Sequence, residues 1–167
     1  TGVIRADTIE EMLDLSAGLA LQPLPGGNRV GILTNAGGPA ILAADRCEAE
    51  GLGVPVVSDS LQASLRGFLP ATASVKNPVD MIASAGADSY RRATEELLAS
   101  RELDALLVIH TPVDPTGADA IARAIGQGVQ AARPDGGAGK PVYLCRMSQG
   151  GLSVPLALDG ESLPTYP

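Results

Sequence analysis

Apolar positions recur along this chain in two rhythms, one helical and one strand-like. Ile9, Met12, Leu13, Leu15 and Leu19 repeat at helical spacing behind Thr8 as an N-cap, with Glu11 as its capping-box partner. They predict a helix over 9–21, closed by the stiff connector Pro23-Leu-Pro-Gly-Gly27. The apolar run Val30–Leu33, within Arg29–Thr34, reads as a buried strand. It breaks at Thr34-Asn35 into Ala36-Gly37-Gly38, and Pro39 opens a helix to about Glu50, capped by Gly51 and Gly53. Val54–Val57 is an edge strand or strand start, demoted by its proline. Ser58, Asp59 or Ser60 caps a helix carrying Leu61, Leu65, Phe68 and Leu69, which Pro70 stops. After an irregular 71–76, Asn77-Pro-Val-Asp-Met81 reads as a turn into a short strand, followed by a loop at Ala85–Ala87. A helix from Asp88 or Ser89 carries Tyr90, Ala93, Leu97 and Leu98. Asp104–His110 is the clearest buried strand, and Thr111–Gly117 is a loop. Thr116 caps a helix from Ala118 to about Ala132; Asp114 and Asp119 cap and solvate its start. Pro141–Met147 is a further strand. The tail has one apolar patch, Val154–Leu158, and no convincing helix.

Strands alternating with helices from 29 to 147 predict an α/β fold with a mainly parallel sheet and helices on both faces. Ligands of such sheets lie beyond the carboxyl ends of the strands. The loops Asn35–Gly38, Met81–Ala87 and Thr111–Gly117 are therefore expected at one rim.

Composition narrows the function classes. The 167 residues suffice for one domain with a real core, and with aromatics at 2% that core must be aliphatic. A net charge of -7, with no basic stripe and almost no aromatic platform, argues against nucleic-acid binding. No apolar run reaches membrane-spanning length, and no signal peptide is expected. A cytoplasmic protein is expected, with Cys47 and Cys145 reduced. The missing initiator Met is expected of a piece of a longer protein.

The strand–glycine–helix junction carries the strongest chemical signal. It brings unpaired backbone N–H groups to one point with the positive end of the helix dipole behind them. Asn35, Ala36, Gly37, Gly38 and Ala40 are the candidate anion-binding residues; a tight turn holding no ligand is the alternative. Asn77, Asp80, His110 and Thr111 are candidate substrate-loop residues. Asp80 touches a ligand or caps a helix. The single histidine, His110, is expected in a loop-facing or hydrogen-bonded role rather than a catalytic one. A metal site is not expected from one histidine and scattered carboxylates. The junction lacks the Lys-Ser/Thr of a P-loop and the Gly-x-Gly-x-x-Gly of a dinucleotide fold.

Three segments in order and spacing give a resemblance: Gly27-Asn-Arg-Val-Gly-Ile-Leu-Thr-Asn-Ala-Gly-Gly-Pro39, Ala73-Ser-Val-Lys-Asn-Pro-Val-Asp-Met81, and Val-Ile-His-Thr-Pro112 after Asp104-Ala-Leu-Leu. From about Ile4 to Tyr166 the chain resembles the CoA-ligase domain of NDP-forming acyl-CoA synthetases, related to the carboxyl-terminal domain of the succinyl-CoA synthetase β subunit. The resemblance implies a flavodoxin-like three-layer α/β/α fold over 27–167, preceded by a helix and connector at 1–26. It also implies a relay in which a carboxylic acid, CoA and ATP or ADP interconvert through an acyl phosphate and a phosphohistidine. The helix opening at Gly37-Gly38-Pro39 resembles one of two helices whose amino ends hold that phosphohistidine, with Gly37, Gly38 and Ala40 as donors. No catalytic residue is expected in this chain. The phosphohistidine segment, the CoA-binding domain and the ATP-grasp domain belong to partner domains or subunits. ATP or ADP, Mg and CoA belong to the parent enzyme, and no cofactor is expected on this domain alone. Alone, the domain is expected to be inert. Pro112 and Pro115 depart from the family's glycine-rich loop. They keep open a second reading: a non-catalytic ligand-sensing or scaffold domain of a synthetase-like protein acetyltransferase.

Overall fold

The computed structural model describes residues 2–113, 117–133, 139–147, 155–158 and 161–166. Helix α1 (Ile9–Leu21) precedes strand β1 (Val30–Thr34), helices α2 (Gly37–Ala49) and α3 (Asp59–Arg66), and strand β2 (Val79–Asp80). Then come α4 (Ala87–Ala99), β3 (Ala105–His110), α5 (Ala118–Ala132), β4 (Val142–Arg146), β5 (Leu156–Leu158), β6 (Glu161–Leu163) and β7 (Thr165–Tyr166). The main sheet runs β2-β1-β3-β4-β7, every neighbouring pair parallel, while β5 and β6 form a separate antiparallel pair. This is the doubly wound, flavodoxin-like order, whose direction of winding reverses between β1 and β3.

The strands are apolar on both faces because both faces are covered. Leu33, Leu106, Val108, Val142 and Leu144 point into a large cluster with Leu65 of α3, Leu97 of α4 and Ile125 of α5. Their alternates Val30, Ile32 and Ile109 point the other way, where Cys47 of α2 meets them. Ala43 and Ala44 complete that contact. α4 and α5 approach closely at Gly128, where an added Cβ would press on the Arg91 carbonyl and lie 2.9 Å from Thr94 Cβ.

Several sequence expectations need adjustment. α2 starts at Gly37, two residues before Pro39. Pro39 is tolerated in the first turn, where its missing N–H has no intrahelical acceptor. Val54–Val57 forms no ladder; it meets its surroundings through the Val57 N–H to the Lys76 carbonyl, 2.9 Å. The edge strand beside β1 is β2 instead. α4 begins at Ala87 behind Gly86, with no side-chain cap. The tail, read as one apolar patch, supplies the β5–β6 pair and the fifth strand of the sheet. Asp114 and Thr116 lie outside the described residues, and Gly117 occupies the N-cap of α5. Thr8 and Ser58 cap their helices as read, accepting from the N–H groups of Glu11 and Leu61.

The N-terminal helix is tied into the body by Gln22, a buried residue that sequence reasoning passed over. Its Oε1 accepts the Val142 N–H at 2.8 Å and its Nε2 donates to the Ser162 carbonyl at 3.3 Å. Among the described residues, no helix is long and apolar enough to cross a membrane.

Candidate functional site

The carboxyl ends of β1, β2 and β3 lie side by side, since Thr34 is in register with both Asp80 and Ile109. The loops after them share one rim, as the parallel order requires, although 114–116 of the third loop fall outside the described residues.

At the center of this rim, Asn35 bridges the winding reversal. Its Nδ2 donates to the Thr111 carbonyl at 2.8 Å, and its Oδ1 accepts the Thr111 N–H at 2.9 Å. The amide extends the β1–β3 ladder by one rung, so Asn35 and Thr111 hold each other rather than face a ligand. The Thr111 hydroxyl contacts Met147 Sδ at 3.6 Å, drawing the end of β4 into the same rim.

Two of the expected anion donors are already engaged. The Ala36 N–H donates to Thr34 Oγ1 at 3.1 Å. The Ala40 N–H donates to the Ala36 carbonyl at 3.4 Å. Both follow from the earlier start of α2: Ala36 is the N-cap, so Ala40 makes the first intrahelical bond. The N–H groups of Gly37 and Gly38 take no backbone or side-chain acceptor among the described residues. A Cβ on Gly38 would meet nothing within 4 Å, which leaves this end of the helix open.

Asp80 is the charged neighbor of that opening. A Cβ on Gly37 would lie 3.2 Å from Asp80 Oδ2, so glycine is what lets carboxylate and helix end approach. Asp80 Oδ1 accepts the Ile82 N–H at 2.9 Å. Ile82 sits at φ 63, a left-handed conformation that is strained for a β-branched residue. Behind Asp80 lies Tyr90, fully buried, its hydroxyl without a partner among the described residues. Burial, and then the Asp80 charge, raise the Tyr90 hydroxyl above its ordinary value and keep it protonated.

His110 is buried and stacks edge-on against Tyr90, with centroids 5.6 Å apart. Burial lowers its proton affinity, and Arg146, opposite it in register, lowers it further. It is a neutral core imidazole and does not open onto the rim, contrary to the loop-facing expectation. Asn77 also leaves the candidate set, because it is buried beside the middle of β1. Its Oδ1 accepts the Ile32 N–H at 2.9 Å, and its Nδ2 donates to the Val30 and Pro55 carbonyls at 3.0 and 2.9 Å. The side chain stands in for a strand where β2 is too short to pair.

Of the sequence candidates, Gly37, Gly38 and Asp80 come together at the open rim; Asn35, Ala36, Ala40, Asn77, His110 and Thr111 serve the scaffold. Exposed apolar side chains stand on the elements that reach this rim: Ile41 and Leu42 on α2, Val113 after β3 and Met147 after β4. Among the described residues, no group of three or more His, Cys, Asp or Glu side chains gathers as a metal site.

A model of the Ligase-CoA domain matches residues 30–153. The chain belongs to the Ligase-CoA domain family. It is 41% identical over 168 residues to the alpha subunit of ADP-forming acetate–CoA ligase II of Pyrococcus furiosus, covering 99% of this chain and 36% of that subunit. It is 38% identical over 114 residues to ADP-forming acetate–CoA ligase I of Archaeoglobus fulgidus, covering 67% of this chain and 16% of that protein. A solved Pyrococcus horikoshii OT3 protein superposes with a TM-score of 0.80 at 39% identity, covering 89% of this chain and 33% of that one. The dinucleotide-forming acetyl-coenzyme A synthetase 1 of Ca. Korarchaeum cryptofilum, in complex with phosphate and ADP, superposes with a TM-score of 0.79 at 29% identity, covering 87% and 30%. The chain thus spans about a third of the length of the Pyrococcus alpha subunit.

Proposed function

We propose that this domain serves an ADP-forming acyl-CoA synthetase by offering the amino end of α2 to a phosphoryl group. That group arrives on a histidine of a partner domain, or as an acyl phosphate. The observation that carries the reading is the pair of N–H groups at Gly37 and Gly38, unengaged among the described residues, at the rim where winding reverses. The two amides and the dipole stabilize negative charge on the transferring group without reorganization. Family membership and the ADP-forming relatives support it. The exposed apolar side chains Ile41, Leu42, Val113 and Met147 suit a surface that closes against another domain and keeps water from the phosphoryl group. CoA, nucleotide and Mg2+ are assigned to other domains of a cytoplasmic parent enzyme.

The test is Gly38→Asp in the parent synthetase. Its side chain enters open space, and a carboxylate in the first helical turn favors the helix, so the fold is kept. It occupies the anion position itself, and phosphoryl transfer falls at least 100-fold while Tm is unchanged or higher. Gly38→Ala keeps the amide and retains transfer. Normal turnover in Gly38→Asp removes the proposal.

A further inference from the structure

The open end of α2 has a neighbor whose charge works against a bare anion. Asp80 Oδ2 would lie 3.2 Å from a Cβ on Gly37, so the carboxylate stands beside the two amides offered to the phosphoryl group. Its other oxygen, Oδ1, is held by the Ile82 N–H at 2.9 Å, which fixes the direction of Oδ2. Among the described residues, Oδ2 accepts no hydrogen bond, and no lysine or arginine pairs with Asp80. Solvent does not erase this charge. It is felt at the fully buried Tyr90 hydroxyl, which burial first and Asp80 second hold above its ordinary value.

The opening therefore makes two demands. The amides of Gly37 and Gly38 require an acceptor, and Asp80 Oδ2 requires a donor, best a positively charged one. Free phosphate and an acyl phosphate meet the first demand only. Each brings negative oxygens beside a carboxylate, and like charges in close approach disfavor binding. A phosphorylated imidazole meets both. Its phosphoryl oxygens face the amides, and its second ring nitrogen, when protonated, donates to a carboxylate. The carboxylate in turn favors that protonated form.

We propose that Asp80 is the specificity-determining residue of this site, selecting a phosphohistidine through its protonated ring nitrogen over acyl phosphate and free phosphate. The inference rests on the phosphoryl reading above and narrows its two carriers to one. Asp80 acts by position: the Ile82 N–H aims the carboxylate, and the missing side chain at Gly37 admits it to the helix end.

The amide signals of Gly37 and Gly38 in a nitrogen–proton correlation spectrum read the site directly. Three probes titrated into the 167-residue chain at pH ~7 separate the carriers: N-phosphoimidazole, acetyl phosphate and inorganic phosphate. N-phosphoimidazole should shift both amides with an affinity about tenfold higher than either of the others. Asp80→Asn removes the charge and keeps an oxygen for the Ile82 N–H. In this variant N-phosphoimidazole should weaken while the other two strengthen, and the preference should fall below about threefold. Damage to the rim alone would move all three affinities the same way. Asp45→Asn, an equal charge change at an exposed position of α2, should alter the preference less than about twofold. If Asp80→Asn loses its circular dichroism signature, Asp80→Ser carries the comparison, since its hydroxyl oxygen also accepts from Ile82. A wild-type chain without the preference, or a preference that survives loss of the Asp80 charge, overturns the role of Asp80 and leaves the phosphoryl reading standing. Failure of all three probes to shift either amide removes both.

Discussion

The two faces of the sheet are built to different plans. Under α3, α4 and α5 lies a continuous aliphatic cluster with Leu65, Leu97, Leu106, Val108, Ile125 and Leu144 at its center. Under α1 and α2 the buried residues are few: Val30, Ile32, Cys47 and Ile109, backed by alanines of α2. On that side large apolar residues stand outside, on α1 (Ile9, Met12, Leu13) and on α2 (Ile41, Leu42). The first face holds the domain together. The second leaves apolar side chains exposed on α1 and α2, the helix whose amino end is open at Gly38. Patches of this kind mark interaction sites rather than stability.

Mutation breaks or sharpens this contrast, starting with the thick face. Ile125→Ala, fully buried between α5 and the sheet, should cost about 3–4 kcal/mol in urea unfolding. Asn77→Ala should cost about 2–3 kcal/mol, because it removes three hydrogen bonds and leaves the Ile32 N–H buried without an acceptor. Hydrogen exchange at Ile32 should rise in that variant more than elsewhere in β1.

The next effects depend on pH. The Arg29 guanidinium and backbone N–H hold the Asp104 carboxyl down at about 2, below its ordinary value near 4. Its folded form therefore binds protons less readily than the unfolded form. Its contribution is complete above pH ~4 and is lost as pH falls through about 2. Asp104→Asn should lower Tm at pH 7 and leave it nearly unchanged at pH 2. His110 is also lowered, so protonation opposes folding, and its contribution is complete only above pH ~6.5. The loss of Tm between pH 7 and 5 should shrink in His110→Phe. The smallest change in stability belongs to the thin face. Ile41→Ser with Leu42→Ser should shift unfolding by less than about 0.5 kcal/mol. If the rim closes against a partner domain, the same pair should slow phosphoryl transfer in the parent synthetase more than tenfold.

Much of this contrast was legible along the chain. Helical spacing, helix formers and caps located each helix among the described residues, because these signals lie on residues close in sequence. The strand–glycine–helix junction pointed to the rim for the same reason: glycines and a following helix run are local signals. The sites were less legible. Asn35 and Asn77 look like loop residues, yet their amides complete backbone ladders with Thr111, 76 residues away, and with Ile32. The residues of β7 are too few to show a period, and only pairing with β4 makes them a strand. The approach of Asp80 to Gly37 leaves no local trace at all.

The sequence by itself determined the layered α/β architecture, the order of its helices and the open glycines at the head of α2, since periodicity and backbone freedom act over a few residues. Only the tertiary structure decided which polar groups were already satisfied and which helix face met solvent. Those outcomes depend on partners that chain folding brings together from distant positions, and hydrogen bonding and Coulomb attraction are settled by distance in space.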